Sequence, residues 1–74
     1  MSKPTRITNS IRARRFARGE MTQAELAQRI GVTRQTVIAI EQSRYSPSLE
    51  VAFQIARVLG VPLDEVFQYP DGES

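Results

Sequence analysis

The chain of 74 residues is long enough for one small domain, since single domains usually contain about 50 to 250 residues. It has no cysteine and no histidine, which excludes disulfides, thiolate or imidazole metal ligands and histidine-based nucleophilic catalysis, so we expect no metal and no cofactor. Residues 1–46 carry nine basic and three acidic side chains, a net +6, whereas residues 47–74 carry one basic and five acidic side chains, a net −4. This division fits a basic surface that meets a polyanion, and it also fits an ordinary solvated surface.

The composition along the chain predicts a single cytoplasmic domain over residues 1–74. The longest apolar run, Val37 to Ile40, is far shorter than the roughly 20 residues that cross a bilayer. No hydrophobic segment follows the first basic residues, as it would in a signal peptide. Only Met1–Pro4 and Pro70–Ser74 have the polar composition of loose ends. We therefore expect no membrane partner.

Helix punctuation recurs along the chain and predicts five helices. The first spans about Asn9 to Arg18 and stops at Gly19. The second begins after Thr22, whose hydroxyl can accept from a free N–H while the Glu25 carboxylate accepts in return, an arrangement known as a capping box. Gly31 supplies the left-handed residue that ends this helix.

The third helix begins after Thr33 and runs to about Ser43, with Val37 and Ile40 facing inward at a spacing of three residues. Two capped helices joined by a tight turn have the layout of a helix-turn-helix, here over residues 22–43. Many helical hairpins share this layout without touching DNA. Residue identity therefore has to supply the functional interpretation.

The fourth helix is predicted to open at Ser46-Pro47, since proline is tolerated in a first turn, and to end at Gly60. A short fifth helix runs from Pro62 to about Phe67. Apolar side chains cover roughly 220° of the fourth helix, well beyond the 100° or so of a helix buried on one side. A central helix wrapped by the other four explains most of this arc, and part of it can instead meet a second subunit.

The stretch Thr22-Gln-Ala-Glu-Leu-Ala-Gln-Arg-Ile-Gly-Val-Thr-Arg-Gln-Thr-Val37 resembles the Cro/cI-type, or xenobiotic-response-element, helix-turn-helix family. The resemblance continues to Pro62-Leu-Asp-Glu-Val-Phe67 and spans nearly the whole chain. It implies an all-α, five-helix lambda-repressor-like DNA-binding domain with a short two-stranded sheet from the chain ends, at Ile7 and Phe67–Tyr69. It also implies a homodimer, whose seam we assign to Leu63, Val66, Phe67 and Tyr69.

By this resemblance the candidate DNA contacts lie on the second helix, the third helix and the loop after it. Gln23 matches a family position that reaches a phosphate, although an exposed polar residue in a first turn is the alternative. Arg34 and Gln35 lead the third helix into the major groove, where arginine can pair with guanine and glutamine with adenine. Arg34 can equally clamp a phosphate, and Thr36 can bind a phosphate or a base. The full set is Gln23, Thr33, Arg34, Gln35, Thr36, Ile38, Ala39, Arg44, Tyr45 and Ser46.

The remaining members of this set have plainer alternatives. Ile38 and Ala39 offer only apolar contact, for which a thymine methyl is the natural partner. Arg44 and Tyr45 match positions at which the family meets the DNA backbone, and Tyr45 can equally pack on the fourth helix. Ser46 is a helix cap first and a phosphate donor second.

Arg15 and Glu41 match a family pair that ties the first helix to the third. Such a partly buried pair contributes little net stability but fixes geometry. The structural interpretation of this pair is the better one, because no second carboxylate, nucleophile or metal cluster completes a site for acid catalysis.

The sequence departs from the family pattern at three places. Residues 19–21 make the first connection one residue longer than the commonest form. Arg14 stands where relatives usually have leucine, which leaves a rival apolar stripe on the first helix at Ala13, Phe16 and Ala17. Ser43 replaces a common glycine after the third helix, where a left-handed residue would be strained.

The predicted function is a sequence-specific DNA-binding transcriptional regulator, a repressor by default, that reads a palindromic operator as a homodimer. With no sensor domain in the chain, we expect no small-molecule effector. A protein-interaction module of the antitoxin type, with secondary DNA binding, is the alternative. A phage repressor or restriction-modification controller would share the same chemistry, whereas an enzyme is disfavoured by the composition.

Overall fold

The computed structural model describes residues 5–70, so the predicted loose ends at Met1–Pro4 and over 71–74 lie outside the described residues. Within that range the chain forms the five predicted helices and two very short strands. In chain order these are β1 Thr8–Asn9, α1 Ile11–Ala17, α2 Gln23–Ile30, α3 Arg34–Glu41, α4 Leu49–Leu59, α5 Leu63–Val66 and β2 Phe67–Gln68. None of these helices is long and apolar enough to cross a bilayer.

The two strands join the chain ends in a small antiparallel sheet, as the resemblance implies. Thr8 pairs with Gln68 and Asn9 with Phe67. The first strand begins one residue after the predicted Ile7, whereas the second begins at Phe67 as predicted and ends one residue before Tyr69.

Local capping chemistry explains where α2 and α3 begin. The hydroxyl of Thr22 accepts from the N–H of Glu25 at 3.0 Å, and the carboxylate of Glu25 accepts from the N–H of Thr22 at 2.8 Å, which completes the predicted capping box. The hydroxyl of Thr33 accepts from the N–H of Thr36 at 3.1 Å. Gly31 ends α2 with φ +76°, a conformation that glycine adopts without steric cost.

The prediction that α4 opens at Ser46-Pro47 is wrong. The cap is Ser48, whose hydroxyl accepts from the N–H of Val51 at 3.2 Å, and Pro47 lies in the extended segment before the helix. Ser46 does not cap the helix, and its hydroxyl instead forms a hydrogen bond of 3.0 Å with the hydroxyl of Thr5. Two serines flank the proline, and Ser48 is the cap because it directly precedes Leu49, the first residue of the helix.

Every helix contributes one fully buried side chain to a single core. These residues are Ile11, Leu26, Val37, Ile55 and Val66. Val66 is only 1% exposed, so its assignment to the dimer seam is wrong: the side chain closes the core from α5.

The apolar arc of α4 is buried on one side only. Its inward face consists of Ala52, Ile55, Ala56 and Leu59, whereas Leu49 is 69% exposed and Phe53 is 54% exposed. The other helices leave the Leu49–Phe53 side of α4 uncovered, so the prediction of a fully wrapped central helix is wrong there, and the alternative of contact with a second subunit stays a prediction for this side.

The rival apolar stripe on α1 is also wrong. Ile11 and Arg15 face inward, while Ala13, Phe16 and Ala17 are exposed. Arg14 is half-buried and its guanidinium lies 3.4 Å from the Glu65 carboxylate on α5. The inward side of α1 thus includes a buried arginine, Arg15. An analysis of apolar spacing misses this side because it treats arginine as a surface residue.

Candidate nucleic-acid interface

The α2–turn–α3 unit holds α3 against the core by one side. Ala27 is 3% exposed, and its small side chain lets the two helices approach closely. The carbonyl of Ala27 accepts from the N–H of Val32 at 3.0 Å, which closes the turn. Val37 and Ile40, at 1% and 2% exposure, lie inward. The opposite side of α3 therefore faces solvent.

The leading end of α3 carries two exposed polar side chains that are available to bind a partner. Arg34 and Gln35 are exposed, and over residues 5–70 no side-chain hydrogen bond or ion pair holds either of them. No acidic residue lies in the first turn, so the partial positive charge of the helix N-terminus is not offset there. The same end of the helix can therefore attract phosphate and donate to base edges.

The threonines at this end are partly committed. The hydroxyl of Thr33 accepts the N–H of Thr36 and lies 3.0 Å from the Thr36 hydroxyl. Further along the helix, Ile38 and Ala39 are half-buried. The structure thus leaves Thr33 chiefly a cap and gives Ile38 and Ala39 limited apolar surface.

The loop after α3 extends the exposed surface. Arg44, Tyr45 and Ser46 are all exposed, with Tyr45 at 38%. We call the exposed set at the start of α3 and in this loop the reading face. Its members are Arg34, Gln35, Arg44 and Tyr45.

A buried polar network lies behind the reading face. The Arg15 guanidinium donates from Nε to Glu41 Oε2 at 2.7 Å and from Nη2 to Oε1 at 3.2 Å, and it also donates to the carbonyl of Met21 at 2.7 Å. Both charged side chains are more than nine-tenths buried. Gln23 donates from Nε2 to the same Glu41 Oε1 at 3.2 Å. The structure thus brings the predicted phosphate contact and the predicted structural pair into one cluster.

The extra residue before α2 is absorbed by two left-handed residues. Gly19 has φ +79° and Glu20 has φ +60°. This reversal returns Met21 to the core, where it is 6% exposed and its carbonyl meets Arg15. Ser43 likewise has φ +57°, the left-handed conformation anticipated for the position where relatives have glycine.

Sequence reasoning missed two residues around this site, Arg12 and Asn9. Arg12 is exposed and lines an open groove between α1 and the end of α3 together with Phe16 and Gln42. Asn9 donates to the carbonyl of Ile40, 31 residues away. A polar residue just before a predicted helix suggests a helix boundary, and no local pattern reveals such a distant partner.

Two of the remaining seam candidates, Leu63 and Phe67, are half-buried in an apolar groove of about 570 Å³. The groove is lined by Ile7, Pro47, Leu49, Ala52, Leu63, Asp64 and Phe67. The third candidate, Tyr69, is 65% exposed and follows Phe67 by two residues, and the exposed Phe53 lies one helical turn after Leu49. We call the following accessible apolar set the apolar face: Leu49, Phe53, Leu63, Phe67 and Tyr69.

Comparisons with known proteins agree with this architecture. A family model described as helix-turn-helix matches residues 11–66. An uncharacterised helix-turn-helix-type transcriptional regulator of Methanocaldococcus jannaschii is 51% identical over 53 residues, covering 72% of this chain and 80% of that protein. The transcriptional repressor RstR of the cryptic phage CTXphi, from Vibrio cholerae, is 37% identical over 60 residues, covering 81% and 53%. The crystal structure of a candidate DNA-binding protein from Bacteroides fragilis shares the fold, with a TM-score of 0.72 at 22% identity over 84% of this chain and 98% of that one.

Proposed function

This chain belongs to the Cro/cI-type helix-turn-helix family of DNA-binding transcriptional regulators, and from that premise we propose that it is a sequence-specific repressor acting as a homodimer. The observation that supports base reading is the division of α3 into two sides. Val37 and Ile40 are buried, whereas Arg34 and Gln35 are exposed at its leading end. The eight residues of α3 make a rod about 12 Å long, which fits a major groove about 12 Å wide.

In the proposed complex the members of the reading face have separate roles. Gln35 donates to and accepts from the edge of an adenine, and Arg34 donates to a guanine or to a phosphate. Arg44 and Tyr45 meet the backbone beside the groove, together with Gln23 at the start of α2. Phosphate contacts set the register of the protein on the duplex, while the base contacts select the sequence.

Homodimer formation is supported by the apolar face. Leu49, Phe53 and Tyr69 are each more than half exposed, on a chain so short that folding buries only about 60% of the surface of the unfolded form. In the proposed two-fold dimer, formed through this face, each copy contributes one α3 helix to DNA binding. Its operator would then be palindromic, with half-sites about one helical turn apart.

Repression is the proposed outcome because a bound dimer occupies promoter DNA, and the relative RstR is a transcriptional repressor. Regulation would act through the abundance of the protein, a protein partner or competition for DNA, without a small-molecule effector. The apolar groove also favours a second candidate, a module of the antitoxin type that binds a different protein there. A chain that is monomeric alone and forms a complex with the product of an adjacent gene would support that candidate.

The decisive experiment selects bound duplexes from random-sequence DNA and then measures Gln35→Ala on the selected duplex. We expect the dissociation constant to rise by about 5- to 150-fold, corresponding to roughly 1 to 3 kcal/mol, with relaxed preference at one base pair. Gln28→Ala, which removes an exposed amide from α2, is the matched control and should leave the selected sequence unchanged. Equal weakening on every sequence would assign Gln35 to the phosphates and reject base reading by this residue.

A further inference from the structure

The segment 5–10 lies against the C-terminal end of α3 through side-chain hydrogen bonds. The Asn9 amide donates from Nδ2 to the carbonyl of Ile40 at 3.0 Å and to that of Glu41 at 3.4 Å. Its Oδ1 accepts from the N–H of Ile11 at 3.2 Å, which fixes the orientation of the amide. The hydroxyl of Ser43 donates to the carbonyl of Ile7 at 3.0 Å. The C-terminal end of α3 is therefore held by a segment more than thirty residues earlier in the chain.

The other side of the same segment bonds the C-terminal part of the domain. Asn9 and Thr8 pair with Phe67 and Gln68 in the sheet. The N–H of Ser10 donates to the carbonyl of Val66 at 2.9 Å, and its hydroxyl donates to the carbonyl of Glu65 at 2.9 Å. Segment 5–10 thus connects the end of α3 to α5 and β2, which carry two members of the apolar face, Leu63 and Phe67.

The end of α3 is closed by backbone hydrogen bonds, and Asn9 adds a contact from outside the helix. Ser43 takes the left-handed conformation, its N–H donates to the carbonyl of Ile40 at 3.0 Å, and the N–H of Arg44 donates to the carbonyl of Ala39 at 2.9 Å. No basic residue lies in the last turn of α3 to bond its last carbonyls. The Asn9 amide therefore supplies the side-chain donor that ties this helix end to β1.

We infer that Asn9 is a positioning residue for DNA reading, which sets the angle of α3 relative to the sheet and so to the proposed dimer face. A tilt of about 10° about the C-terminal end of a 12 Å helix moves its leading end by roughly 2 Å. Such a shift breaks hydrogen bonds from Arg34 and Gln35, since these tolerate only a few tenths of an ångström. The DNA part of this inference rests on the proposed function.

The test variant is Asn9→Asp, which keeps the size of the side chain and the acceptor for the Ile11 N–H. It replaces the amide donor with an oxygen that faces two carbonyls. By hydrogen exchange measured with NMR, the amides of Gln42, Ser43 and Arg44 should exchange about 5- to 150-fold faster, as expected for a lost or reversed buried hydrogen bond. The amides of α4 should keep their rates, because Asn9 makes no hydrogen bond to that helix.

DNA binding supplies the second readout. The dissociation constant of Asn9→Asp for the duplex selected by the wild-type chain should rise about tenfold or more, while its affinity for a duplex of scrambled sequence stays within about twofold. The matched control is Thr8→Val, which removes a side-chain hydrogen bond from the same strand, that of the Thr8 hydroxyl to the carbonyl of Gln68 at 3.3 Å. This control should match the wild type in both readouts.

Wild-type exchange rates at 42–44 in Asn9→Asp would overturn the inference, as would a parallel loss of scrambled and selected binding. If Asn9→Asp does not fold, Ser43→Ala carries the same two predictions, since it removes the bond to Ile7 from the other side. If the wild-type chain selects no duplex, the proposed function fails, and the exchange measurement still decides whether Asn9 holds the end of α3.

Discussion

The reading face and the apolar face are both accessible surfaces, but they differ in the chemistry of their side chains and in the residues that pack behind them. The reading face presents two arginines, an amide and a tyrosine hydroxyl, whereas the apolar face presents only leucine, phenylalanine and tyrosine side chains. Water solvates the first set well and the second set poorly. The difference supports the two partners of the proposed function, a polyanion for one face and a second protein surface for the other.

The support behind the two faces differs in the same way. Behind the reading face lies the network of Arg15, Glu41 and Gln23, whose hydrogen bonds require defined directions. Behind the apolar face lie aliphatic side chains of α4 such as Ile55 and Leu59, which are packed without polar partners. A polar network fixes angles, and apolar burial supplies most of the free energy of folding. In the proposed complex, DNA reading therefore depends on geometry, and dimerisation depends mainly on the apolar area that is buried.

The largest expected difference between the faces is their response to salt. If a dimer neutralises roughly 6 to 10 phosphates, the dissociation constant for the selected duplex should rise about 10³- to 10⁵-fold between 50 and 200 mM salt. The dimer dissociation constant should change by no more than about threefold, because Asp64 is the one charged side chain among the residues that line the apolar groove. Fluorescence anisotropy measures the first quantity and analytical ultracentrifugation the second. DNA binding that is insensitive to salt would remove the electrostatic part of the proposal.

Breaking the polar support is expected to have the next largest effect. Glu41→Ala leaves the buried Arg15 guanidinium without its carboxylate and should lower the free energy of unfolding by about 3 to 5 kcal/mol. Glu25→Ala, which removes an exposed carboxylate from the capping box of α2, should cost about 1 kcal/mol or less. Urea denaturation measures both values. If the two variants lowered the free energy of unfolding by similar amounts, the buried guanidinium of Arg15 would not depend on the carboxylate of Glu41.

A charge placed on the apolar face gives the smallest of the three effects. Phe53→Lys should raise the dimer dissociation constant about 30-fold, which is the 2 kcal/mol expected for a buried aromatic contact in an interface. The fold should persist, since Phe53 is 54% exposed in the single chain. Gln54→Lys, at the adjacent exposed position, adds the same charge as a control. Sedimentation that is unchanged in Phe53→Lys would move the dimer seam away from α4.

Local sequence signals were sufficient for much of the fold and for part of the site. The capping box at Thr22, the cap at Thr33 and the left-handed Gly31 each act within about four residues, so the chain order alone specifies them. The inward placement of Val37 and Ile40 followed from helical spacing. With one side of α3 assigned to the core, the exposure of Arg34 and Gln35 on the other side followed as well.

The tertiary structure decided which surfaces were left uncovered and which distant groups met. Spacing along α4 could not distinguish its buried Ile55 from its exposed Phe53, because both belong to one continuous apolar arc and only the arrival of other helices separates them. Gln23 meets Glu41 across 18 residues, and Asn9 reaches Ile40 across 31. Periodicity and capping are short-range effects, whereas the satisfaction of a buried carboxylate or a helix end depends on whichever donor the packed chain brings within 3 Å.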